Sequence, residues 1–409
     1  MDRLALLTPA NVRHRSGGTR YNHAVAEHAA SLGHRVDVIP VPGHWPRPDR
    51  QAPARVLAAA AGYRRVLVDG LIGARCPEAL TALTRRGVHT GLLVHLPERH
   101  GGPAQARALA AADVVVVTSA WTGRWLLAHA WPLTGRPATD LTGRLVLARP
   151  GTDDGAPAAH PAAAADAAPT APTDAVPLVP RIACVAALTP NKNQVTLLRA
   201  LAGLTGAAWS AEIVGSTAAD PVYAARVHDA AAPLGDRVRL TGELDGAGLA
   251  ARWPDLDLLV LPSTWESWGM VVTEALRHGV PAVVGSGTGG AEALRAPRGS
   301  GPWPARGDDV PASPRTAGQE PTGLPGTVVD AGDPTAVAAV LRRWLADPAL
   351  RNRWRAAAAA SRPDGWGPGT AAVLEAMLPA LPPAAHRLRA GHRVHEDDNR
   401  EDDRGMRTR

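Results

Sequence analysis

The sequence predicts an α/β fold with two doubly wound, Rossmann-like domains that face each other across a cleft. Two series of short apolar strands alternate with alanine-rich helical stretches, one within residues 1–152 and one within 178–364. Strands buried on both faces are typical of parallel sheets covered by helices, and Val114–Val117 is the clearest such run. An Ala, Pro, Asp and Thr stretch at 153–177 lies between the two series and predicts a linker.

The two series define the predicted elements. The predicted strands of the first are Leu4–Leu7, Val36–Val41, Val66–Asp69, Gly91–Leu96, Val114–Thr118 and Leu145–Ala148, with helices near 20–32, 76–85, 103–111 and 120–130. Those of the second are Ile182–Leu188, Glu212–Val214, Val238–Leu240, Leu258–Leu261, Ala282–Val284 and Thr327–Val329, with helices near 195–204, 335–346, 349–361 and 370–378. A Pro- and Gly-rich insertion at 297–325 predicts a mobile surface loop. A closing helix is expected within 365–384, and a disordered charged tail at 385–409.

The composition of the 409 residues excludes several classes of protein. No run reaches about 18 apolar residues, so no membrane-spanning helix is expected. The apolar stretch Leu4–Leu7 is too short for a secretory signal. The two cysteines, Cys76 and Cys184, cannot form a disulfide framework or a metal cluster, and they predict buried apolar residues in a cytoplasmic protein.

Charge is distributed unevenly along the chain. Residues 1–150 hold 19 Arg against 9 Asp and Glu, a net +10, whereas the whole chain has a net charge of +6. This imbalance indicates an anionic partner for the first domain, although a codon bias toward arginine explains it equally well. Nucleic acid is not expected, because no zinc finger, aromatic RNA-binding strand or basic helix occurs. An anionic ligand and peripheral contact with the inner face of a membrane both stay open.

A glycine pair follows the first predicted strand. Gly17 and Gly18 lie between Ser16 and Thr19, before a helix that is expected to begin near Arg20. Adjacent glycines let backbone amides approach an anion at a helix N-terminus, where the helix dipole favours negative charge. The alternative is an ordinary strand–helix turn.

Lys192 is the only lysine in the chain, and all other Lys or Arg positions are arginine. It follows the strand ending at Leu188, where Thr189 is expected to cap the next helix with Pro190 in its first turn. A cation in the first turn of a helix is unfavourable unless an anion lies nearby, and a diphosphate is such an anion. The alternative is a solvated surface lysine.

Two glutamates follow the apolar strand Leu258–Leu261. Glu266 and Glu274 are eight residues apart, so both are expected to face one cleft if a helix begins near Trp268. Gly269 leaves room for a ligand to reach the backbone amides of that segment. Two carboxylates there can accept hydrogen bonds from sugar and ribose hydroxyls. The alternative is a pair of solvated glutamates.

Two further sequence features are candidates for catalytic or cofactor-binding roles. His95 ends a predicted strand, where an imidazole facing the cleft can donate to a hydroxyl or move a proton, and a structural histidine is equally compatible. Residues 285–290 satisfy the dinucleotide-binding pattern G-x-G-x-x-G. Its required acidic residue would be Asp308 or Asp309, within the insertion and off any strand. A nicotinamide-dependent oxidoreductase is therefore a disfavoured alternative.

In combination, these motifs resemble those of retaining glycosyltransferases of the GT-B fold, most of all glycosyltransferase family 4 (glycosyl transferases group 1). The glycine pair, the lysine and the E-x7-E pair occur in the same order, and the resemblance spans about residues 3–380. Neighbouring segments that share it are Asp113–Thr122, Glu212–Gly215, Arg237–Gly242, Gly289–Leu294 and Val328–Pro334.

The resemblance implies roles for individual residues. Lys192 would contact the diphosphate of a nucleotide-sugar donor, and Gly17 and Gly18 would close over it. Glu266 would hold the donor sugar together with backbone amides around Trp268, Gly269 and Met270, while Glu274 would hold the ribose. His95 would lie near the sugar. Each of these residues carries over from a matching position of the motifs.

One departure from the family pattern lies at Ala187, where an arginine is usual. Its loss removes a cation for the diphosphate unless Arg13, Arg15 or Arg20 replaces it. The expected function is retaining transfer of a hexose-type sugar to an unidentified acceptor hydroxyl, without a metal or other cofactor. The acceptor classes left open include anionic and lipid-linked molecules. A catalytically impaired nucleotide-sugar binder is the alternative.

Overall fold

Two sheets form the framework of the protein. The computed structural model describes residues 3–12, 16–153, 179–295, 300–303 and 323–378. The strands are β1 (Arg3–Pro9), β2 (Arg35–Val41), β3 (Arg65–Asp69), β4 (His89–Val94), β5 (Val114–Val117), β6 (Leu145–Leu147), β7 (Arg181–Val185), β8 (Ser210–Val214), β9 (Val238–Gly242), β10 (Leu258–Leu261), β11 (Ala282–Gly285), β12 (Gly301–Pro302) and β13 (Gly326–Val329). The predicted tail, the predicted linker beyond Asp153 and most of the predicted insertion lie outside the described residues.

The strand order confirms the predicted doubly wound class. The first sheet has the order β12-β6-β5-β4-β3-β1-β2 and the second β13-β11-β10-β7-β8-β9. All pairings are parallel except that of β12 with β6. All twelve predicted strands are present, although β7 ends three residues before the predicted Leu188. β12 was not predicted.

The helices cover both faces of the sheets. They are α1 (Gly17–Ser31), α2 (Ala52–Ala59), α3 (Gly70–Gly73), α4 (Pro77–Arg85), α5 (Pro103–Ala111), α6 (Ala120–Trp125), α7 (Ala138–Thr142), α8 (Gln194–Ala202), α9 (Pro221–Ala231), α10 (Gly246–Ala250), α11 (Met270–Arg277), α12 (Gly289–Ala293), α13 (Pro334–Ala346), α14 (Pro348–Ala360) and α15 (Trp366–Met377). The predicted helix 120–130 is α6 continued by one π-helical turn. Sequence reasoning missed α2, α3, α7, α9 and α10, of which all but α9 are eight residues or shorter.

The closing helix α15 packs against the first sheet, whereas α13 and α14, which precede it in sequence, pack in the core of the second domain. Trp366 and Met377 are buried in the same apolar cluster as Leu4 and Leu6 of β1. The fit at Gly91 of β4 is tight, since a Cβ there would lie 2.5 Å from the sulfur of Met377. Burial of each such side chain stabilises the fold by about 1.5–3 kcal/mol. The first domain is therefore completed by residues from the end of the described chain.

The insertion contributes a strand to the first sheet. β12 pairs antiparallel with β6, and the Trp303 amide donates to the Leu145 carbonyl at 3.0 Å. The indole of Trp303 lies on Gly123 of α6, where a Cβ would come within 2.2 Å of the ring. The expectation of a mobile surface loop is therefore wrong for residues 300–303. Burial of one large aromatic side chain outweighed the Pro- and Gly-rich composition around it.

The two cysteines are buried and free, as predicted. Burial raises the pKa of the Cys76 thiol to about 11 and that of Cys184 to about 12. Both are consequently neutral thiols that fill apolar space. Among the described residues, no helix has the length and apolar character needed to cross a membrane.

Candidate active site

The glycine pair lies at the boundary between the two domains. α1 begins at Gly17, three residues before the predicted start, because Ser16 caps it by accepting from the Thr19 amide at 3.1 Å. A Cβ on Gly17 would lie 3.6 Å from the sulfur of Met270, and one on Gly18 would lie 3.1 Å from the His95 ring. The pair therefore runs between Met270 of the second domain and His95 of the first.

His95 follows the carboxyl end of β4 and is held by a buried polar chain. Its Nε2 lies 2.9 Å from Oδ1 of Asn22, whose Nδ2 donates to the Asp69 carboxylate at 3.0 Å. The ring of Tyr21 contacts the imidazole edge-on, with 5.2 Å between centroids. The imidazole is thereby fixed in one orientation beside Gly18.

Asp69 anchors this chain at the end of β3. Burial raises the pKa of its carboxyl, but hydrogen bonds and charge from His95, with hydrogen bonds from Asn22 and the Leu71 amide, lower the pKa below its usual range overall. The carboxylate of Asp69 thus holds Asn22, which in turn contacts His95. Sequence reasoning missed this role, although Asp69 ends a predicted strand and the carboxyl ends of strands are where ligands bind in such sheets.

The sequence predicts Lys192 in the first turn of a helix. The structure places it instead in a separate turn before that helix. Residues Pro190–Lys192 form a 3-10 turn, and α8 begins only at Gln194 because Asn193 adopts a left-handed conformation with φ 59°. Thr189 does not cap the helix. Its hydroxyl donates to the Asn191 side chain at 2.8 Å.

The Lys192 ammonium forms an ion pair with Glu266, so the structure brings together two of the predicted site residues. Glu266 is 7% exposed, its carboxylate also accepts from the Ser263 hydroxyl at 3.4 Å, and its carbonyl accepts from the Gly289 amide at 2.8 Å. Its side chain is therefore a nearly buried carboxylate whose charge is balanced by the only lysine.

The helix expected to begin near Trp268 begins instead at Met270, after Gly269 with φ 77°. Glu266 consequently lies in the loop before the helix, while Glu274 lies within α11. The two carboxylates are therefore not related by helical spacing, and their facing one cleft stays a prediction. A left-handed glycine conformation separates loop from helix, and a turn-counting argument from spacing cannot see it.

Glu274 forms an ion pair with Arg20 of α1, and Arg20 also pairs with Asp153 at 2.6 Å. Burial raises the pKa of the Glu274 carboxyl, and the charge of Arg20 only partly opposes that shift. This contact crosses the domain boundary and brings to Glu274 one of the three arginines considered as replacements at the site. Arg13 and Arg15 lie outside the described residues.

We expect Glu274→Gln to change the pH dependence of stability. A carboxyl whose pKa is raised on folding stabilises the fold fully below its unfolded pKa, near 4.5, and loses that contribution as pH rises through the folded value. The free energy of unfolding of the variant, relative to wild type, should therefore increase between pH 4 and pH 7 in urea titrations. Arg20→Gln is the matched control, and it should make the wild-type decline steeper. A difference between Glu274→Gln and wild type that is flat with pH would contradict this assignment.

Trp268 serves the core of the second domain. Its side chain is buried in the apolar cluster that includes Leu261 and Val272. Sequence reasoning placed only its backbone near the donor, and that placement stays a prediction. Met270, by contrast, reaches the domain boundary beside Gly17.

The glycine-rich segment 285–290 supports the loop that carries Glu266. A Cβ on Gly289 would lie 1.6 Å from the Ser267 carbonyl oxygen, and one on Gly285 would lie 2.1 Å from that of Ser263. The helix that follows is only five residues long. Close backbone packing thus accounts for these glycines without a dinucleotide, and Asp308 and Asp309 lie outside the described residues.

Carboxylates elsewhere in the second domain have structural partners. Asp255 pairs with Arg181 at 3.3 Å, and Asp257 pairs with Arg355. Within the described ranges, no three His, Cys, Asp or Glu side chains are grouped as metal ligands. Absence of a metal requirement stays a prediction.

Comparisons with known proteins bear on the fold and on the second domain. Residues 179–347 match the family model described as glycosyl transferases group 1. No curated protein matches the chain in sequence. Solved structures with a similar fold include sucrose-phosphate synthase from Thermosynechococcus elongatus, with a TM-score of 0.65 and 20% identity over 91% of this chain and 97% of that chain.

Two further similar structures were determined with nucleotides. The Anabaena protein HepE in complex with UDP has a TM-score of 0.61 and 17% identity, covering 92% of this chain and 99% of its own. The catalytic domain of starch synthase IV from Arabidopsis thaliana, bound to ADP and acarbose, has a TM-score of 0.65 and 13% identity, covering 92% and 98%. The protein thus has the GT-B architecture, and its residues 179–347 match the family model of the glycosyl transferases group 1.

Proposed function

We propose that the protein is a glycosyltransferase that moves a hexose-type sugar from a nucleotide-diphosphate sugar to an acceptor hydroxyl, with retention of anomeric configuration. The observation that carries the proposal is the ion pair between Lys192 and the nearly buried Glu266, within the matched domain and at the carboxyl ends of β7 and β10. Ligands of doubly wound sheets bind at those ends.

The chemical task is to let a diphosphate leave a sugar carbon that acquires positive charge. A preorganised cation that faces the leaving group lowers that barrier, and Lys192 supplies one. A bound diphosphate would compete with Glu266 for the ammonium, which would free the carboxylate to accept from sugar hydroxyls. We expect no metal or other cofactor in this reaction.

Other predicted residues support the same site. Gly17 and Gly18 lie between Met270 and His95, where the two domains meet, so a donor held there contacts both domains. Glu274 is assigned to the ribose, for which it would have to share its carboxylate with Arg20. Two of the comparison structures, those of HepE and starch synthase IV, hold UDP and ADP, which supports a nucleoside diphosphate as part of the donor.

Binding of the donor is tested by thermal shift with UDP-, GDP-, ADP- and TDP-sugars. At 100 times the dissociation constant, the matching donor should stabilise the fold by about 2.7 kcal/mol. Release of the matching nucleoside diphosphate in a screen of acceptors, including anionic and lipid-linked sugars, then tests transfer. An NMR assignment of the product anomer tests retention. No stabilisation by any donor would overturn the proposal.

A second candidate is a nucleotide-sugar binder without catalysis, and the alanine at position 187 favours it. Donor binding without nucleoside diphosphate release in any acceptor mixture would support that candidate. For the cell, we propose a cytoplasmic protein, with peripheral contact of its basic first domain at the inner face of the membrane as the open case. Sedimentation with anionic vesicles across a salt series tests that contact.

A further inference from the structure

The indole of Trp265 projects from the second domain into the first. Its ring lies edge-on to Trp121 and Trp125 of α6, with 4.9 Å and 5.4 Å between ring centroids. Its Nε1 donates to the Pro97 carbonyl, in the loop after β4, at 3.0 Å. Each of these three partners of the side chain belongs to the first domain.

Arg99 of the first domain also binds the segment of the second domain that contains Trp265. Its guanidinium lies 5.5 Å from the centre of the Trp265 ring and donates to the hydroxyl of Thr264 at 2.9 Å and to its carbonyl at 3.3 Å. Aromatic packing, a cation over the ring and three hydrogen bonds thus hold residues 264 and 265 against the first domain.

The backbone of the same two residues holds the turn that carries Lys192. The Asn191 side chain donates to the Trp265 carbonyl at 3.0 Å, and the Thr264 amide donates to the Asn191 carbonyl at 2.9 Å. Next along the chain, Glu266 pairs with Lys192. The side chain of Trp265 therefore lies against the first domain, while its carbonyl binds Asn191, the residue before Lys192, and its chain neighbour is Glu266.

We propose that Trp265 is a positioning residue that transmits contact between the two domains to Lys192 and Glu266. When its indole packs edge-on against the tryptophans of α6, residues 264–266 and the 190–192 turn are held in a fixed arrangement. When the domains separate, the indole loses its partners, and residues 264 and 265, which bind the turn through Asn191, lose their anchor in the first domain. The proposal rests on the proposed function only in taking Lys192 and Glu266 as the reacting site.

Variants of Trp265 separate the two kinds of anchoring. Trp265→Phe keeps an aromatic ring and loses the hydrogen bond to Pro97, while Trp265→Ala loses both. The matched control is Trp209→Phe, because Trp209 is also in the second domain, donates to the Leu204 carbonyl at 2.9 Å and lies under a guanidinium at 3.7 Å. It contacts neither the first domain nor the reactive pair.

The first readout is hydrogen–deuterium exchange of the intact protein without added ligand. Trp265→Ala should raise exchange at least tenfold in residues 186–193, 263–269 and 97–99, and Trp265→Phe should raise it less. Trp209→Phe should affect only the region around residues 204–209. Wild-type exchange at 186–193 in Trp265→Ala would overturn the proposal, and if that variant does not fold, the same criterion applies to Trp265→Phe.

The second readout is nucleoside diphosphate release from whichever of the four donors stabilises the wild type. Trp265→Ala should lower kcat at least tenfold and change KM for the donor less than threefold, with partial recovery in Trp265→Phe. Equal loss of kcat in Trp209→Phe and Trp265→Phe would overturn the proposal in favour of a general packing role. If exchange rises as expected but the wild type releases no nucleoside diphosphate with any donor, the coupling stands and the proposed function fails.

Discussion

Lys192→Ala should lower the turnover of the donor sugar by about 10²- to 10³-fold, because it removes a cation that faces the leaving diphosphate. The structure adds a cost in stability. Lys192 is the partner of the nearly buried Glu266, and its removal leaves that carboxylate, among the residues that the structure describes, with only the long hydrogen bond from Ser263. We expect a loss of about 2 kcal/mol in the free energy of unfolding, measured by urea titration.

Two companion variants separate catalysis from folding. Lys192→Ala combined with Glu266→Gln removes the uncompensated charge, so it should recover most of the stability and none of the turnover. Lys192→Arg should keep the stability and recover turnover in part, since a guanidinium carries the charge in a different shape. Wild-type turnover in Lys192→Ala would remove this residue from the site.

The absence of other lysines gives an independent route to the same result. Lys192 carries the only ε-amino group in the 409-residue sequence, so acetylation of ε-amino groups modifies this side chain alone. It should abolish turnover, and a donor that binds at the site should slow the modification. Equal modification rates with and without a stabilising donor would contradict contact between Lys192 and the diphosphate.

Gly289→Ala should be the most destabilising of the glycine substitutions in the 285–290 segment that we propose to test. Its Cβ would lie 1.6 Å from the Ser267 carbonyl oxygen, so the backbone of one segment must move. Movement there also breaks the hydrogen bond from Gly289 to the Glu266 carbonyl. We expect a loss of about 3 kcal/mol or more, a fall of at least about 6 °C in Tm by calorimetry, and reduced donor binding.

Its neighbours provide matched controls. A Cβ on Gly290 would lie 3.3 Å from the Thr288 hydroxyl, which is slightly tight, and 3.7 Å from Val284, an ordinary contact. A shift of a few tenths of an ångström relieves the first contact and alanine favours the helix, so Gly290→Ala should cost less than about 1 kcal/mol. Gly287 has φ 67° in open space, so alanine there is strained by about 1 kcal/mol.

Saturable NAD(P) binding that Gly287→Val abolishes and Lys192→Ala leaves intact would instead restore the oxidoreductase alternative.

The sequence predicts the local parts of this fold well. Buried strands such as Val114–Val117 are continuous apolar runs, and each carries its own evidence within a few residues. The order of the glycine pair, Lys192 and the two glutamates along the chain predicts which residues lie at strand ends. Lys192 and Glu266 do meet, 74 positions apart.

Contacts across the domain boundary are what the sequence does not reveal. Arg20 and Glu274 are 254 positions apart, and no spacing rule links them. Asn22, which orients His95, looks like any polar residue on a helix. The starts of two helices were not predicted for a different reason. Asn193 and Gly269 adopt left-handed conformations, and each moves the start of the helix that follows by a few residues. Those shifts decide whether a side chain lies in a turn or on a helix face.

The docking of α15 on the first sheet has a consequence for synthesis of the chain on the ribosome. The strands of the first sheet are synthesised early. One of its faces, which includes Leu4, Leu6 and Leu67, packs against side chains of α15 that are synthesised much later. Domains usually fold in the order in which they are translated. Here α1 covers only part of that face, and the rest stays exposed until nearly 380 residues have been made, so we expect this apolar surface to need chaperone protection during that interval.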